Sequence, residues 1–408
     1  MTAANRIRFN PFGSAFRRDP YPLYRQLRET EPVHRTLGMW VLTRHADVRA
    51  VLRDRTFSAG LIPQLVGRHA GALTGTADGR IDRLGRTSLV FTDNPDHARL
   101  RGLVNRVFTA QAVARLRPVV HRVADRLVRQ ARADGGMDAI AGLAAPLPVT
   151  VLCEWMGLPE ALREHVAAWT HDIRYLLEPG LLSATDFVHV SEVVETFCAA
   201  LADVVRHRAR HPGDDLISEL LAARTAGGDR LGDEELVFLC IMCFVAGNET
   251  TKSLIGNGLH ALLRHPDQAA ALRERPELIP GAVTEALRYD SPLQLTKRVA
   301  TREVELAGHR IAEGEQVLLC LGAANRDPAV FARPDTFDIT RAGGEHLAFG
   351  HGMHGCLGGT LAQLQAEVAF SCLLPWHVEL AADTPAWQDH SFIVRGLTAL
   401  PVTMRGPR

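Results

Sequence analysis

A short glycine-rich stretch around one cysteine constrains this chain more than any other part of its sequence. Five glycines and Cys356 lie within the segment 349–359, just before an apolar run, 361–370, that is typical of a helix. Glycine lets the backbone turn tightly and approach a bulky group closely. The start of the following helix carries a partial positive charge, which favours the thiolate form of cysteine. The segment therefore predicts an accessible thiolate, a suitable axial ligand for a haem iron.

Two other interpretations of this segment are open. A mobile loop with one buried free cysteine would explain none of the spacing. A zinc site is the second alternative, because four possible ligands lie close together in the sequence: His346, His351, His354 and Cys356. Structural zinc sites usually take paired ligands from separated segments, so the sequence favours the haem interpretation.

Composition excludes several classes of protein. The 46 basic and 46 acidic residues balance, which argues against a nucleic-acid binder that relies on a basic face. No run reaches the roughly 18 apolar residues of a membrane span, and residues 1–10 lack the apolar core of a secretory signal. The seven cysteines are an odd number and lie mostly in apolar segments, which is typical of a reducing cytoplasm. We expect a cytoplasmic, monomeric protein with one domain over residues 1–408, without nucleic-acid or membrane partners.

Apolar periodicity predicts a mainly α fold with a small β lobe, drawn mostly from about residues 20–60 and 293–322. Helices are expected at 112–132, 186–208, 234–264 and 280–289, and strands at 40–43, 304–311 and 316–320. The stretch Ser58–Leu89 is glycine-rich and lacks periodicity, which indicates a long loop over a site.

The predicted helix 234–264 carries a polar cluster at its centre, 246–251, with the sequence Ala-Gly-Asn-Glu-Thr-Thr. Gly247 costs about 1 kcal/mol relative to alanine in a helix interior. The hydroxyl of Thr250 can bond the carbonyl oxygen of Ala246, four residues earlier, and bend the helix. The cluster indicates a groove beside a cofactor rather than an ordinary core helix.

The cysteine loop resembles the haem-binding signature of the cytochrome P450 family, Phe-Gly-x-Gly-x-His-x-Cys-x-Gly. Six positions match it in register: Phe349, Gly350, Gly352, His354, Cys356 and Gly358. The resemblance extends over essentially the whole chain. It implies the P450 fold, a single-domain triangular prism that is mainly α, and haem b with its iron ligated by Cys356.

The central helix resembles the oxygen-activation motif of the same family. The resemblance implies that Ala246 and Gly247 line the groove beside the haem. It also implies that Thr250 and Glu249 deliver protons during dioxygen activation, whereas Thr251 is a packing residue.

Two further resemblances concern structure and haem binding. Glu285 and Arg288 resemble the structural Glu-x-x-Arg pair of the family, which ties its helix to the meander before the haem loop. Thr336 stands in that meander where the family often has arginine or histidine, so the third member of the network is in doubt. Four cations match positions that pair with haem propionates: His97, Arg101, Arg298 and His354.

Family position also implies a largely apolar substrate pocket, formed by Val245, Ala246, Leu293, Gln294, Leu295, Ile393 and Val394. The implied function is a bacterial monooxygenase that hydroxylates or epoxidises a small hydrophobic compound of natural-product metabolism. It would use O₂ and electrons from NAD(P)H through a ferredoxin and its reductase. Oxidative C–C or C–N coupling without oxygen insertion is an alternative, and a non-catalytic haem sensor or recruitment protein is a more distant one. Gln363 and Gln365 depart from the arginine and glutamate usual in bacterial relatives, a difference that bears on docking of the electron donor.

Overall fold

Helices account for most of the chain. The computed structural model describes residues 7–64, 67–68, 71, 79–225, 227–381 and 385–406. The α-helices of these residues are α1 (Ser14–Arg18), α2 (Tyr21–Thr30), α3 (His45–Arg53), α4 (Gly79–Thr87), α5 (Asp96–Val104), α6 (Ala110–Arg115), α7 (Arg117–Ala133), α8 (Pro146–Trp155), α9 (Glu160–Ile173), α10 (Ala184–Arg210), α11 (Leu216–Ala222), α12 (Asp233–Arg264), α13 (Pro266–Glu274), α14 (Ile279–Tyr289), α15 (Leu321–Ala324) and α16 (Gly359–Leu373). A π-helical turn at Ile140–Ala144 and short 3-10 helices at Arg174–Leu177, Pro179–Leu181, Pro276–Leu278 and Gly352–His354 complete the helical structure.

The strands are short and form small sheets. They are β1 (Val33–Thr36), β2 (Met39–Leu42), β3 (Phe57–Ser58), β4 (Gly136–Asp138), β5 (Leu295–Ala300), β6 (Val304–Leu306), β7 (His309–Ile311), β8 (Gln316–Cys320), β9 (His377–Leu380), β10 (Ala386–Trp387), β11 (Leu397–Ala399) and β12 (Pro401–Arg405). This mainly α architecture with a small β part confirms the predicted fold class.

The chain divides into two compact units, of which the first contains the largest sheet. This unit comprises Met1–Ser58, Ser253–Cys356 and Val378–Val402. Its five strands follow the order β1-β2-β8-β5-β3, with β2 and β8 parallel and the other pairs antiparallel. Side chains alternate across a strand, so Leu42 joins one apolar cluster and Val41 joins another.

The second unit is helical and comprises Ala59–Lys252, Leu357–His377 and Thr403–Arg408. Helices α7 and α16 pack together, and Arg132 of α7 lies 4.7 Å from the ring centroid of Trp376 beyond the end of α16. Helix α10 begins at a capping box, in which the side chains of Ser183 and Asp186 each accept a bond from the other's backbone N–H. Residues 233–252 of α12 belong to this unit.

Helix α12 is the longest of the helices given above. Among the described residues it alone is long and apolar enough to cross a membrane, judged by length and composition only. However, 67% of its most apolar window is buried inside the protein, as in the core helix of a soluble protein. The three acidic residues of its first turn, 233–235, and Pro266 just beyond its end explain why its bounds agree with the predicted helix.

The structure corrects two local predictions. The predicted helix 112–132 is two helices, because Pro118 has no N–H to continue α6 and instead lies in the first turn of α7. The predicted loop Ser58–Leu89 is wrong at α4, which buries Ile81 and Leu84. Residues 65–66, 69–70 and 72–78 of that predicted loop lie outside the described residues. The single-domain assignment over residues 1–408 stays a prediction.

Candidate functional site

The cysteine loop forms a tight turn that leaves its thiol accessible. Gly350 and Gly352 have positive φ angles of 68° and 72°, which disfavour side chains. The backbone N–H of Cys356 donates to the carbonyl of Phe349 at 2.9 Å and closes the loop. Cys356 is exposed, whereas the other six cysteines are buried or half-buried. The fold therefore exposes one thiol, at the position that the sequence predicts for a metal ligand.

The loop rests closely on the end of helix α3. A Cβ added at Gly352 would lie 2.6 Å from the carbonyl oxygen of Leu52, a distance that carbon atoms do not adopt without a shift. At Gly358, by contrast, no heavy atom lies within 4 Å of an added Cβ. Close packing at Gly352 and open space at Gly358 suit a loop that approaches a bulky cofactor.

The described residues do not support the zinc alternative. No group of three or more His, Cys, Asp or Glu side chains among them could hold a metal ion. The imidazole of His346 is largely buried, and burial lowers its pKa. Of the four proposed zinc ligands, only Cys356 is fully exposed.

The centre of α12 has an accessible face within a buried helix. Ala246 is exposed between the buried residues Val245 and Asn248. The hydroxyl of Thr250 donates to the carbonyl of Ala246 at 2.6 Å, as its four-residue spacing predicts. Gly247 allows close packing on helix α8, since a Cβ there would lie 3.1 Å from the side chain of Leu152.

Glu249 is held by a lysine that sequence reasoning missed as part of the site. The Lys252 ammonium lies 2.6 Å from a carboxylate oxygen of Glu249, and the two side chains are only 17% and 13% exposed. Burial raises the pKa of Glu249, but Lys252, with smaller contributions from Arg174 and His171, lowers it below its ordinary value. The i,i+3 spacing of Glu249 and Lys252 was a signal that could have identified the pair.

An apolar pocket lies in the second unit against α12. Its lining residues come from the segment before α5, from the end of α9 with the turn after it, and from α12: Ile62, Pro63, Gly67, Ile81, Leu84, Gly85, Phe91, Ile173, Leu176, Leu177, Met242 and Val245. Only Val245 was predicted from the sequence. Six others lie within Ser58–Leu89, the stretch expected to cover a site: Ile62, Pro63, Gly67, Ile81, Leu84 and Gly85. The remaining five lie outside it, and no local pattern in the sequence connects them.

The remaining predicted pocket residues lie in the first unit. Leu293 pairs with Val394 in an isolated β-bridge, and the N–H of Gln294 donates to the carbonyl of Ile393 at 2.7 Å. These four residues are thus brought together by the backbone. The Gln294 side chain is buried and donates to the Tyr21 hydroxyl and the Ser291 carbonyl, while Leu295 packs in an apolar core cluster.

The structure brings Glu285 and Arg288 together as predicted. Two hydrogen bonds of 2.7 and 2.8 Å join their side chains, both of which are 2% exposed. The guanidinium also donates to the carbonyl oxygens of Asn325, Pro334 and Thr336. The helix is therefore tied to the meander through backbone carbonyls. Thr336 takes part through its carbonyl alone, so its side chain can vary.

The four predicted propionate cations lie on three elements: helix α5, strand β5 and the 3-10 turn of the cysteine loop. His97 is buried in α5, and one turn later Arg101 donates to the side chain of Asn105 at 3.0 Å. Arg298 is buried in β5 and donates to the carbonyl of Lys297 at 2.7 Å. His354 ends the 3-10 turn of the cysteine loop.

The two glutamines after the cysteine differ in exposure. Gln365 is 2% exposed on α16, whereas Gln363 is half-buried. Because it is buried, the side chain of Gln365 does not offer a direct surface contact to an electron donor. Gln363 remains a candidate for such a contact.

The residues present fit a haem. Thiolate is a soft ligand for iron, and Cys356 is the exposed thiol at the end of a glycine loop. The exposed Ala246 leaves only a small side chain at the accessible centre of α12.

Comparison with known proteins agrees with this geometry. The family model described as Cytochrome P450 matches residues 184–277 and 275–384. The chain is 35% identical to the Biotin biosynthesis cytochrome P450 of Bacillus subtilis, covering 96% of this chain and 97% of the relative. It is 37% identical to the Vitamin D(3) 25-hydroxylase of Pseudonocardia autotrophica, covering 100% and 99%. The solved structure of CalO2 is similar, with a TM-score of 0.91, 36% identity and coverage of 98% and 100%. The chain therefore belongs to the cytochrome P450 family of monooxygenases, whose cofactor is haem b.

Proposed function

We propose that this protein inserts one oxygen atom of O₂ into a small, largely hydrophobic organic substrate, by hydroxylation or epoxidation, in bacterial natural-product metabolism. The observation that carries the proposal is the exposed thiol of Cys356 at the end of its glycine loop. Relatives named for biosynthesis and hydroxylation support the class of reaction. Electrons would come from NAD(P)H through a ferredoxin and its reductase in the cytoplasm.

The chain's own residues would hold the cofactor and manage protons. Cys356 would ligate the iron, with Phe349 and Gly350 shaping the loop, and His97, Arg101, Arg298 and His354 would bind the propionates. The haem supplies the oxygen chemistry when bound. The Thr250 hydroxyl, held at the carbonyl of Ala246, would position a water for proton transfer. Glu249 would supply protons through that water.

The apolar pocket suits a hydrophobic substrate. All twelve of its lining residues are apolar or glycine, so the pocket favours burial of hydrocarbon surface. Leu293, Ile393 and Val394 are further candidates for substrate contact. Gln294 and Leu295 are buried among their own neighbours, so we propose for them a supporting role in that segment.

The proposal is tested by product analysis. The protein loaded with haem is supplied with NADPH, a surrogate ferredoxin and reductase, and a library of apolar compounds under ¹⁸O₂. We expect products that carry one ¹⁸O atom, detected by mass spectrometry. Products joined through C–C or C–N bonds without ¹⁸O would instead identify an oxidative coupling enzyme. A protein that binds haem but turns over no compound, while a related P450 does so in the same assay, would favour a sensor.

A further inference from the structure

Arg174 is a buried cation whose guanidinium is incompletely hydrogen-bonded among the described residues. It follows α9 directly in the 3-10 helix Arg174–Leu177, and the residue is only 4% exposed. Its Nε and Nη2 atoms are buried without a hydrogen-bond partner among the described residues. The guanidinium carbon lies 4.2 Å from the ring centroid of the neighbouring Tyr175.

Such an arrangement is energetically unfavourable unless something complements the charge. Burying a cation costs several kcal/mol, and nearly all buried polar groups in folded proteins are hydrogen-bonded. A stacked aromatic ring contributes only about 0.5–2 kcal/mol. Buried Arg288 shows the usual solution, with one carboxylate and three carbonyl oxygens around its guanidinium.

The nearby acid is already neutralised. Arg174 lowers the pKa of Glu249 through space, so the two groups are near each other. They form no ion pair, however, and the Glu249 carboxylate is bound by the Lys252 ammonium at 2.6 Å. Glu249 and Lys252 thus pair with each other, which leaves the positive charge of Arg174 without an ion pair among the described residues.

Neighbours of Arg174 and Glu249 in the chain line the apolar pocket, although Arg174 itself is not among its lining residues. Ile173, immediately before Arg174, lines the pocket, and so do Leu176 and Leu177 of the same 3-10 helix. On α12 the pocket-lining Val245 precedes Glu249 by one helical turn, on the same face. The segment that carries Arg174 thus also supplies hydrocarbon surface of the pocket.

We propose that Arg174 is the anion subsite of the substrate pocket and binds the carboxylate of an apolar acid whose hydrocarbon part occupies that pocket. A carboxylate supplies the acceptors that the guanidinium lacks and can bond it in a bidentate manner. The proposal extends the proposed function by naming the substrate class, a hydrophobic carboxylic acid.

The test compares two probes with the same ten-carbon chain, one with a carboxylate and one with an uncharged hydroxyl as its head group. Binding of decanoate and of 1-decanol to the haem-loaded protein is measured by calorimetry at pH 7.5, where no turnover occurs without an electron donor. We expect decanoate to bind at least about tenfold more tightly than the alcohol, the effect of one charge-assisted hydrogen bond. In Arg174→Gln the advantage of the acid should disappear while the affinity for the alcohol stays unchanged. Arg174→Lys should retain part of the preference for decanoate over decanol. The control Arg206→Gln, at an exposed arginine of α10, should retain the whole preference.

Three results would overturn the proposal. The first is equal binding of the two probes by the unaltered protein, which requires no variant to fold. The second is an Arg174→Gln variant that binds both probes as the unaltered protein does. The third is one that weakens both probes equally, which would assign Arg174 a structural role. Because binding is measured without turnover, failure of the monooxygenase assay would leave these results interpretable on their own.

Discussion

Arg341 binds the carboxylate of Glu285, with its Nε atom 3.2 and 3.1 Å from the two oxygens. Glu285 is thus shared by two arginines, Arg341 and Arg288. The carbonyl of Thr336 accepts hydrogen bonds from both guanidinium groups, at 2.8 and 3.1 Å. Arg341 is therefore the third member of the network that the sequence left in doubt at Thr336.

We predict that Arg341→Gln lowers the free energy of unfolding by about 2–4 kcal/mol, because a carboxylate that is 2% exposed loses one of its two cations. Urea unfolding of the haem-loaded protein measures this change. Arg333→Gln is the matched control: Arg333 lies in the same segment, but its ion pair with Asp338 is 3.9 Å long and its side chain is 77% exposed. We expect the control to change stability by less than about 1 kcal/mol. Equal effects of the two substitutions would show that Arg341 adds nothing specific.

How far the sequence predicts this site depends on the range of each signal. The bounds of α12 and the loop around Cys356 follow from neighbours in the chain, such as acidic first-turn residues, a proline or a spaced set of glycines. Arg341 was missed because its partner Glu285 lies 56 residues away. Helix α4 was missed because its stability comes from burial of Ile81 and Leu84 against distant residues.

The closeness of Gly352 to helix α3 predicts unequal effects of two glycine substitutions. Gly352→Ala and Gly350→Ala both place a side chain at positive φ, which costs about 1–2 kcal/mol. Only at residue 352 would the new Cβ also lie 2.6 Å from the Leu52 carbonyl oxygen; at residue 350 the nearest atom is 3.8 Å away. We expect a clearly larger loss of haem content for Gly352→Ala, measured from the ratio of Soret to protein absorbance. Equal haem content in the two variants would contradict the close approach.

The exposure of Cys356 predicts the spectrum of the haem-loaded protein. We expect Cys356→Ser to abolish the red-shifted Soret band of the ferrous–CO form, because a hydroxyl does not replace a thiolate as a donor. Cys372→Ser is the control, since this half-buried thiol, whose pKa burial raises to about 11, is not a ligand candidate. An unchanged CO spectrum in Cys356→Ser would remove the basis of the ligand assignment.

The position of the Thr250 hydroxyl predicts that its loss impairs the coupling of NADPH consumption to product formation and leaves haem binding intact. In Thr250→Ala we expect haem content to persist, while a several-fold larger share of the NADPH consumed appears as hydrogen peroxide, because proton delivery is impaired. Thr196→Ala removes a hydroxyl with a similar bond to the carbonyl four residues earlier, at 2.8 Å, but on the exposed side of α10. The control should leave peroxide release unchanged. If Thr250→Ala converted NADPH into product as efficiently as the unaltered protein, the Thr250 hydroxyl would have only its structural role, the hydrogen bond to Ala246 within the helix.

The Glu249–Lys252 pair predicts a pH-dependent contribution to stability. Burial raises the pKa of Glu249, but the attraction of Lys252, with smaller contributions from Arg174 and His171, outweighs this effect. The pKa of Glu249 in the folded protein therefore lies below its ordinary value of 4.5. The ionised pair therefore stabilises the fold above about pH 4.5, and this contribution is lost as the pH falls through the folded pKa. We expect Lys252→Met to reduce the free energy of unfolding at pH 7 by about 2 kcal/mol, since the side chains are 17% and 13% exposed.

The same variant should approach the unaltered protein in stability as the pH falls through the lowered folded pKa of Glu249, because a protonated Glu249 needs no ammonium partner. Urea unfolding across pH 3.5–8 measures the difference. In the background of Glu249→Gln the carboxylate is absent. There, Lys252→Met should lower the free energy of unfolding much less, and its effect should not change with pH. A loss of stability that is the same at every pH, with or without the Glu249 carboxylate, would mean that Lys252 acts through packing of its aliphatic chain instead.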